Sequence, residues 1–342
     1  MKYNQNMPSQ SYDEADAKAI MNSSISNGLV GDSLHFDSAE DASIFFAREL
    51  DFVKAETYDV LHPEFTAEKH FPISHEVNPG AETITYYSFE KTGFAKIISN
   101  YATDLPRADV KGKPTTSNIK SIGASYGYSM QDMRASRMAG KSLDIRRGEA
   151  ARYAIDRKAN EIAWAGDKNA GLMGVLTDTN NIPVFTAGKA AADGSSTAWS
   201  KKTADEIVAD ISGALSLMAT TTQNVEVPDR LLLPPSVIIN LSSKRIEGTA
   251  TTLWQYIKDA FPDLTFDKAN ELEAGSVTTN PYKKNVGLLY KKDPRKFTIE
   301  IPMKFYQYAA QPKGLEIEVP CEERHAGAEI YYPLSLMIIP GI

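Results

Sequence analysis

The pattern of hydrophobic and polar positions along this 342-residue chain predicts strands toward both ends and helices alternating with strands in the middle. Residues 81–91 alternate and are rich in β-branched and aromatic side chains, which predicts a strand. The segment FAKIIS, after a turn at Thr92 and Gly93, predicts a returning strand, and IKSIGASYGYS predicts a third. The tract at 104–118 is too polar to be buried and too long for a tight turn. We therefore predict a projecting hairpin with a basic tip.

A long helix is predicted at about 143–165. One of its faces is apolar at helical spacing, through Ala151, Ile155, Ile162 and Ala163. Its opposite side carries two pairs of opposite charges four residues apart, each expected to add about a few tenths of a kcal/mol: Arg152–Asp156 and Arg157–Glu161. At ~1.5 Å per residue the helix is a rod of roughly 35 Å, which predicts a structural strut.

The stretch NEIAWAGDKNAGLMGVL at 160–176 contains three glycines at the end of this helix. A phosphate-binding loop requires a strand first and then the N-terminus of a helix, whose free N–H groups face the anion. Here the helix comes first, and the C-terminus of a helix carries the negative end of its dipole. We therefore reject a phosphate site and predict that Gly166 ends the helix in the left-handed conformation.

The remaining segments give clear local signals. Beyond a loop at 177–200, apolar residues recur at helical spacing over 203–219 and predict a helix. RLLLPPSVIINL predicts a short buried strand before a helix that starts at a proline, and TTLWQYIKDAF predicts another helix. Strands are predicted in VGLLYKK, KFTIEIPMKF, LEIEVPCEE and EIYYPLSLMII. Residues 1–37 are polar and predict an arm that is disordered alone or ordered only against a neighbour, with a helix from Ser38.

Composition and charge narrow the classes of function. The net charge of -7 argues against binding by phosphate neutralisation, because that mode needs a surplus of Lys and Arg. Cys321 is the single cysteine, so no intramolecular disulfide is possible. The N-terminus lacks an apolar signal segment, and no window approaches the ~20 apolar residues that cross a bilayer. We expect a soluble protein made in a cytoplasm.

The polar residues predict no catalytic, cofactor or metal site. The histidines lack the spacing of a helical zinc pair and are expected to be ordinary surface or turn residues: His35, His62, His70, His75 and His325. Cys321 lies near Glu322, Glu323 and His325, but two carboxylates would raise the pKa of its thiol instead of activating it. The basic tip with Arg107, Lys111 and Lys113 fits a solvated arm, or an arm on an acidic neighbour, better than a nucleic-acid contact.

The order of the elements is itself informative. A polar arm precedes strands with a long extended loop, a charged helix ending in W-x-G-D, the sequence G-L-x-G-V-L, a middle α/β region and closing strands. The most specific residues in this order are Asn160, Ile162, Trp164, Gly166 and Asp167, then Gly171, Leu172, Met173, Gly174, Val175 and Leu176. From about residue 40 to the end, the chain resembles the major capsid protein family of tailed bacteriophages, with the Hong Kong 97-like phage capsid fold, an α+β fold.

This resemblance implies a subunit with named parts: an N-terminal arm at 1–60, a peripheral domain at 61–171 with the extended loop at about 86–128 and the spine helix at about 143–165, an axial domain at 172–305, and return strands of the peripheral domain at 306–342. It implies self-assembly into hexamers and pentamers of an icosahedral head shell that encloses the phage double-stranded DNA. Contacts between subunits are expected at the tip of the extended loop: Arg107, Asp109, Lys111 and Lys113. Gly166, Gly171 and Gly174 are expected to form the hinge into the axial domain.

Two features depart from parts of the family. Some members cross-link neighbouring subunits through a lysine of the extended loop and a late asparagine. Lys111 and Lys113 offer the amine here, but no asparagine follows Asn285, which predicts that no covalent cross-link forms. The arm before residue 40 is too short for a large internal scaffolding segment, so we expect a separate scaffold protein or none, besides portal and decoration partners.

Three other functions remain open at this stage: an encapsulin-type bacterial nanocompartment shell, an α/β hydrolytic enzyme working as a small oligomer, and a phage tail or decoration protein. The long polar arm favours a phage capsid over a nanocompartment, because such an arm can span neighbouring subunits. The expected location is the capsid of a virion, after synthesis and assembly in the cytoplasm of a host bacterium.

Overall fold

The structure, a computed structural model, describes residues 62–97, 106–139, 146–177, 180–192, 194–246, 249–276 and 278–342. The predicted N-terminal arm, and the helix expected from Ser38, lie outside the described residues. Pro63–Ile342 forms one compact unit, and the description below concerns that unit.

Six α-helices lie within the described residues: α1 (Ala67–His70), α2 (Met130–Ala139), α3 (Arg146–Ala165), α4 (Ala204–Thr221), α5 (Pro235–Ser243) and α6 (Leu253–Ala260). The predicted long helix is confirmed by α3, which ends at the expected residue; the residues just before it are outside the description. The helix predicted at 203–219 is confirmed by α4. Thr203 caps it, because its side chain accepts from the Glu206 N–H while the Glu206 carboxylate accepts from the Thr203 N–H.

The described strands are β1 (Ile73–Ser74), β2 (Thr83–Thr92), β3 (Asp109–Asn118), β4 (Lys120–Ser129), β5 (Arg230–Leu233), β6 (Thr265–Lys268), β7 (Val286–Tyr290), β8 (Phe297–Glu300), β9 (Met303–Gln307), β10 (Gln311–Lys313), β11 (Glu316–His325), β12 (Gly327–Ile330) and β13 (Leu336–Pro340). All four segments predicted as strands near the C-terminus contain strands, but KFTIEIPMKF is divided between β8 and β9, and EIYYPLSLMII between β12 and β13 with a short 3-10 turn at Pro333–Ser335. The buried strand of RLLL and the proline-started helix after it are β5 and α5, as predicted.

The strands form four sheets in the described part of the chain. In the first sheet, β8 lies between β1, which is parallel to it, and β12, which is antiparallel. In the second, β11 pairs with β4, β9 and β10. The third has the order β13-β7-β5-β6, and the fourth consists of β2 and β3 alone. The first three sheets therefore join strands that are distant in the sequence.

The core has three parts. In the first, the fully buried Trp164 of α3 meets Phe71 edge to face at 4.7 Å, and Phe71 also contacts Tyr290 and Phe297. The second lies between α4, α5, α6 and the third sheet and is lined by aliphatic side chains. The third is small and packs α3 on the second sheet through Ala151, Ile155 and Cys321. The apolar face predicted for the long helix is confirmed as its buried face.

One expectation about the strands needs correction. The described part of FAKIIS, Phe94 to Ile97, is not a strand; β2 pairs with β3 instead, within the tract predicted to be polar and turn-rich. Of the strands near the predicted domain boundaries, β13 completes the third sheet beside β7, and β8 pairs with β1. The predicted domains themselves stay predictions.

Sheet membership thus crosses both predicted domain boundaries, because backbone pairing follows long-range contacts that local patterns do not encode.

No helix in the described ranges is long and apolar enough to cross a membrane.

Candidate functional site

The most conspicuous surface feature is the hairpin formed by β2 and β3. Ten residue pairs connect the strands, from Thr83 opposite Asn118 to Thr92 opposite Asp109. Within the described residues neither strand pairs with any other strand. A two-stranded hairpin is marginally stable in water without further packing. Over most of its length, and within the described residues, this hairpin therefore lacks the layer that normally stabilises such a ribbon.

One face of the hairpin is apolar although it is exposed to solvent. In an antiparallel pair, directly opposed residues share a face, and here Tyr87 opposes Pro114, Phe89 opposes Gly112 and Lys91 opposes Val110. Tyr87 is 65% exposed, Phe89 70% and Val110 55%. The two aromatic rings stack with centroids 6.5 Å apart. Exposed apolar area of this kind marks a contact surface.

Gly112 makes room for this apolar face. A Cβ placed on Gly112 would lie 3.0 Å from a ring carbon of Phe89, so the ring lies directly over the glycine. The aromatic ring covers backbone that would otherwise be exposed, as aromatic residues opposite strand glycines often do. The glycine therefore supports the flat, exposed aromatic surface.

The predicted contact residues lie elsewhere on the hairpin. Lys111 and Lys113 oppose Glu90 and Ser88 on the other, polar face. Asp109, Lys111 and Lys113 belong to β3, which begins at Asp109, and Arg107 precedes the strand; their role as contacts between subunits stays a prediction. Pairing with β2 holds this tract extended although lysine, glycine and proline are poor strand formers. Because the sequence analysis chose candidate contact residues by charge, it did not include Tyr87, Phe89 and Val110. Their alternation with polar residues along the chain was the feature that could have indicated an apolar face.

The foot of the hairpin rests on the first sheet. The Tyr86 hydroxyl donates to the Ile330 carbonyl at 3.2 Å, and its ring meets Tyr331 edge to face at 4.9 Å. Ser117 Oγ donates to Glu329 Oε2 at 2.9 Å. These contacts fix where the hairpin leaves the body of the subunit.

The predicted strut, α3, carries one of the two predicted ion pairs. Arg152 Nε lies 3.6 Å from Asp156 Oδ2, as expected. The Arg157–Glu161 pair is wrong, because the Glu161 carboxylate takes Lys158 at 3.5 Å instead. Lys158 also reaches Asp167 at 3.2 Å beyond the helix end, and its hydrogen bond lowers the pKa of Asp167. The exposed pairs add little stability, but Lys158 links the helix to the turn that follows it.

That turn contains the three glycines, and it closes the helix tightly. The last helical carbonyls all accept hydrogen bonds: those of Ile162, Ala163 and Trp164 from the N–H groups of Gly166, Val175 and Leu176, and that of Ala165 from Thr177 Oγ1. Gly166 has φ +72°, which confirms the predicted left-handed helix end, and Gly171 has φ +69°.

Gly174 is required for a different reason. A Cβ on Gly174 would lie 2.2 Å from the Gly166 nitrogen, so the two backbones touch. The three residues therefore form a packed, hydrogen-bonded corner. Whether the chain also bends there as a hinge stays a prediction.

An acidic group lies beside the strut. Glu323 of β11 is buried against α3, and burial, followed by the neighbouring carboxylates of Asp156 and Glu68, raises its pKa to about 7. Arg152 opposes this effect. Among the described residues, no group of three or more His, Cys, Asp or Glu side chains is arranged to hold a metal ion.

The histidines and the cysteine differ in part from expectation. His70 and His325 are fully buried, so describing them as surface or turn residues was wrong. Burial alone lowers the pKa of His325 to about 4, and the ring accepts the Gly327 N–H. Cys321 is buried against α3, and burial raises the pKa of its thiol, which fits a structural residue better than a nucleophile.

Comparisons with known proteins agree with this geometry. Residues 93–342 match the model of a family described as "Major capsid protein". No match was found among curated proteins. The structure is similar to the capsid of Myoviridae phage XM1, with TM-score 0.72, 17% identity, and coverage of 87% of this chain and 99% of that chain.

Two further capsid structures are also similar. The capsid of an empty GTA particle gives TM-score 0.56 and 14% identity over 85% of this chain and 94% of that one. The mature capsid of bacteriophage PhiM1 gives TM-score 0.56 and 10% identity, with coverage of 89% of this chain and 98% of that one. At these identities the likeness shows the fold, and it confirms the predicted Hong Kong 97-like capsid fold.

Proposed function

Because this chain belongs to the major capsid protein family, we propose that its copies assemble as hexamers and pentamers into an icosahedral head shell around double-stranded phage DNA. The family match covers β3, the strut α3 and everything after it, so it includes most of the features described above. The chain is thus a shell-forming structural protein and a component of a virion capsid.

The exposed apolar face of the hairpin is the observation that carries the assembly part of this proposal. Tyr87, Phe89 and Val110 have no covering layer in the described chain, and a lone two-stranded ribbon needs one. A subunit repeated in a closed shell offers the same neighbouring surface to every copy. The hairpin of one copy therefore packs its apolar face on the next copy, with Lys111 and Lys113 turned away from that contact.

The alternatives are less well supported. A nanocompartment shell, a tail or decoration protein and a hydrolytic enzyme do not account for a family match over residues 93–342. For the enzyme, the thiol of Cys321 is also a poor candidate nucleophile, since it is buried with a raised pKa. Scaffold, portal and decoration proteins are proposed as partners. Assembly in the cytoplasm of the host is proposed as well.

Electron microscopy of the expressed full-length chain tests the proposal. We expect closed shells of uniform diameter, and a small, monodisperse oligomer under all assembly conditions would contradict the shell.

The hairpin contact is tested by the double variant Tyr87→Ser, Phe89→Ser, which should remain folded by circular dichroism but form few or no shells. The matched control changes the opposite face, Lys111→Ser with Lys113→Ser, and should assemble. Normal shells from the first variant would exclude the apolar face as the contact.

A further inference from the structure

The first sheet has one apolar face and one acidic face. Phe297, Ile299, Ala328 and Ile330 lie on the face that joins the main core. Thr298 and Glu300 of β8 alternate with them and therefore lie on the other face, together with Glu329, which is paired with Thr298. Glu300 and Glu329 are diagonal neighbours there, within reach of each other. Two carboxyl groups thus share one face of a small sheet.

Among the described residues, neither buried carboxyl group has a counter-charge. Glu300 is 5% exposed and Glu329 is 3% exposed. Glu300 Oε1 accepts from Thr298 Oγ1 at 2.8 Å and more weakly from the Tyr331 hydroxyl at 3.5 Å. Glu300 Oε2 and Glu329 Oε1 have no hydrogen-bond partner among the described residues. Burying two ionised carboxylates side by side costs much more free energy than burying the same pair when one carboxyl group is protonated.

The surrounding elements supply hydroxyl groups but no basic partner within the described chain. The titratable groups that interact with Glu329 are Glu300 of β8, Tyr86 of β2 and Tyr331 after β12. β3 contributes Ser117, and Ser74 of β1 is paired with Glu300 through the backbone. Burial, followed by the charge of Glu300, raises the pKa of Glu329 to about 7, while the Ser117 hydrogen bond opposes the rise.

The foot of the hairpin covers this acidic face. Ser117 of β3 donates to Glu329, and Tyr86 of β2 packs on Tyr331, whose hydroxyl lies 3.0 Å from Thr298 Oγ1. The seated foot thus helps to bury Glu329 through direct contact. The protonation of Glu329 and the seating of the hairpin are therefore coupled.

We propose that Glu329, buried beside Glu300, is a proton-operated latch, which holds the foot of the hairpin on the first sheet while its carboxyl group carries a proton and releases the foot when that group ionises. The latch acts within one copy of the chain. It is separate from the proposed contact between copies, so an experiment that disproves one of the two proposals leaves the other intact.

The direction of the effect follows from proton linkage. The seated hairpin binds the proton more tightly than the open one, because opening returns Glu329 to water and to its ordinary pKa of 4.5. Seating is therefore fully favoured below that value. Its equilibrium weakens by up to about tenfold per pH unit as the pH rises toward about 7, and it weakens no further above that.

Hydrogen exchange of the full-length chain, followed by mass spectrometry between pH 5 and 8, tests the latch. After correction for intrinsic exchange, amide protection in β2 and β3 should fall at least about tenfold between pH 5 and 7 and then level off. The amides of α4 serve as the internal reference for global unfolding. Light scattering at each pH verifies that the oligomeric state is constant.

Neutral variants decide whether Glu329 is responsible. Glu329→Gln keeps an acceptor for Ser117 and cannot ionise, so its hairpin should stay protected across the whole range. If that variant does not fold, Glu300→Gln removes the neighbouring charge that raises the pKa of Glu329, so the fall in protection should become smaller and end at a lower pH. The matched control is Glu318→Gln, since Glu318 also accepts from a serine, Ser125, but has Lys313 as its counter-charge. It should behave like the unmodified chain. A flat profile in the unmodified chain, or a Glu329→Gln profile that still falls, would overturn the proposal.

Discussion

Asn160 is a buried amide that joins three segments at one point. Its Oδ1 accepts from the Ala67 N–H at 3.1 Å, and its Nδ2 donates to Glu271 Oε1 at 2.9 Å. Glu271 in turn accepts from the backbone and hydroxyl of Thr66. The amide is suited to this position because it donates to a carboxylate while accepting from a backbone N–H. The strut is thereby tied to α1 and to the loop before β7.

Replacing this amide by a carboxylate should be costly at neutral pH. Asn160→Asp places a second buried negative charge against Glu271 and removes the donor, so we expect a loss of about 3 kcal/mol in the free energy of unfolding at pH 7. Burial and Glu271 would raise the pKa of the new Asp in the folded state, so the loss should shrink as the pH falls toward 5. Urea unfolding at both pH values measures this. The control Asn169→Asp lies on the surface and should change stability little; equal losses in the two variants would contradict the role of Asn160.

Gly166 combines a left-handed backbone with a close approach of two chain segments. A Cβ there would lie 2.5 Å from the Leu172 carbonyl oxygen and 2.6 Å from the Gly174 nitrogen. Gly166→Val should therefore lose about 3 kcal/mol or more of stability, or fail to fold. Gly194 has a similar φ of +64° but nothing within 4 Å of an added Cβ. Gly194→Val isolates the backbone strain, and similar unfolding midpoints for both variants would show that the packing of the corner is unimportant.

At the scale of elements, the contact between α3 and β11 is sensitive to pH through Glu323. The folded state raises the pKa of this carboxyl to about 7, so folding favours its protonated form, and stability falls as the pH rises from 4.5 to about 7. Glu323→Gln should remove that loss and stabilise the chain by about 1–2 kcal/mol at pH 8, with little effect at pH 4.5. Chemical unfolding at the two pH values checks this. A destabilised variant at pH 8 would mean that the ionised carboxylate has a favourable partner.

Elements with strong local signals were predictable from the sequence, and elements defined by pairing were not. The caps and apolar spacing of α4 and the proline at the start of α5 lie within a few neighbouring residues. β3 reads DVKGKPTTSN, a composition that local propensity assigns to a loop, and only its pairing with β2 holds it extended. The partner of β13 was equally hidden, since β7 lies far back in the chain.

The candidate surface was predictable only in outline. The hairpin was expected to project, but its contact face was assigned by charge to Lys111 and Lys113. The faces depend on the register that sets Phe89 opposite Gly112 and Glu90 opposite Lys111. A shift of one residue would exchange the two faces, and the sequence does not specify that register. The buried pair of Glu300 and Glu329 was hidden for the same reason.

At the scale of the whole molecule, the absence of a late asparagine has a consequence for the finished shell. The cross-link expected from the family resemblance joins a lysine amine to the carboxamide of a late asparagine, and no asparagine follows Asn285 in this sequence. We therefore predict that the shell is held by non-covalent contacts alone, such as the apolar face of the hairpin. Hydrophobic contacts of this kind are reversible in strong denaturant.

Assembled particles should therefore give a single monomer band on a denaturing gel. Ladders of covalent dimers and larger species would contradict the prediction. The double variant Lys111→Arg, Lys113→Arg then identifies the amine, because arginine keeps the charge but cannot form the same bond. Ladders that disappear in this variant would place a cross-link on β3 with an acceptor other than a late asparagine. Ladders that persist would assign the bond to another lysine, either Lys91 of β2 or one outside the hairpin.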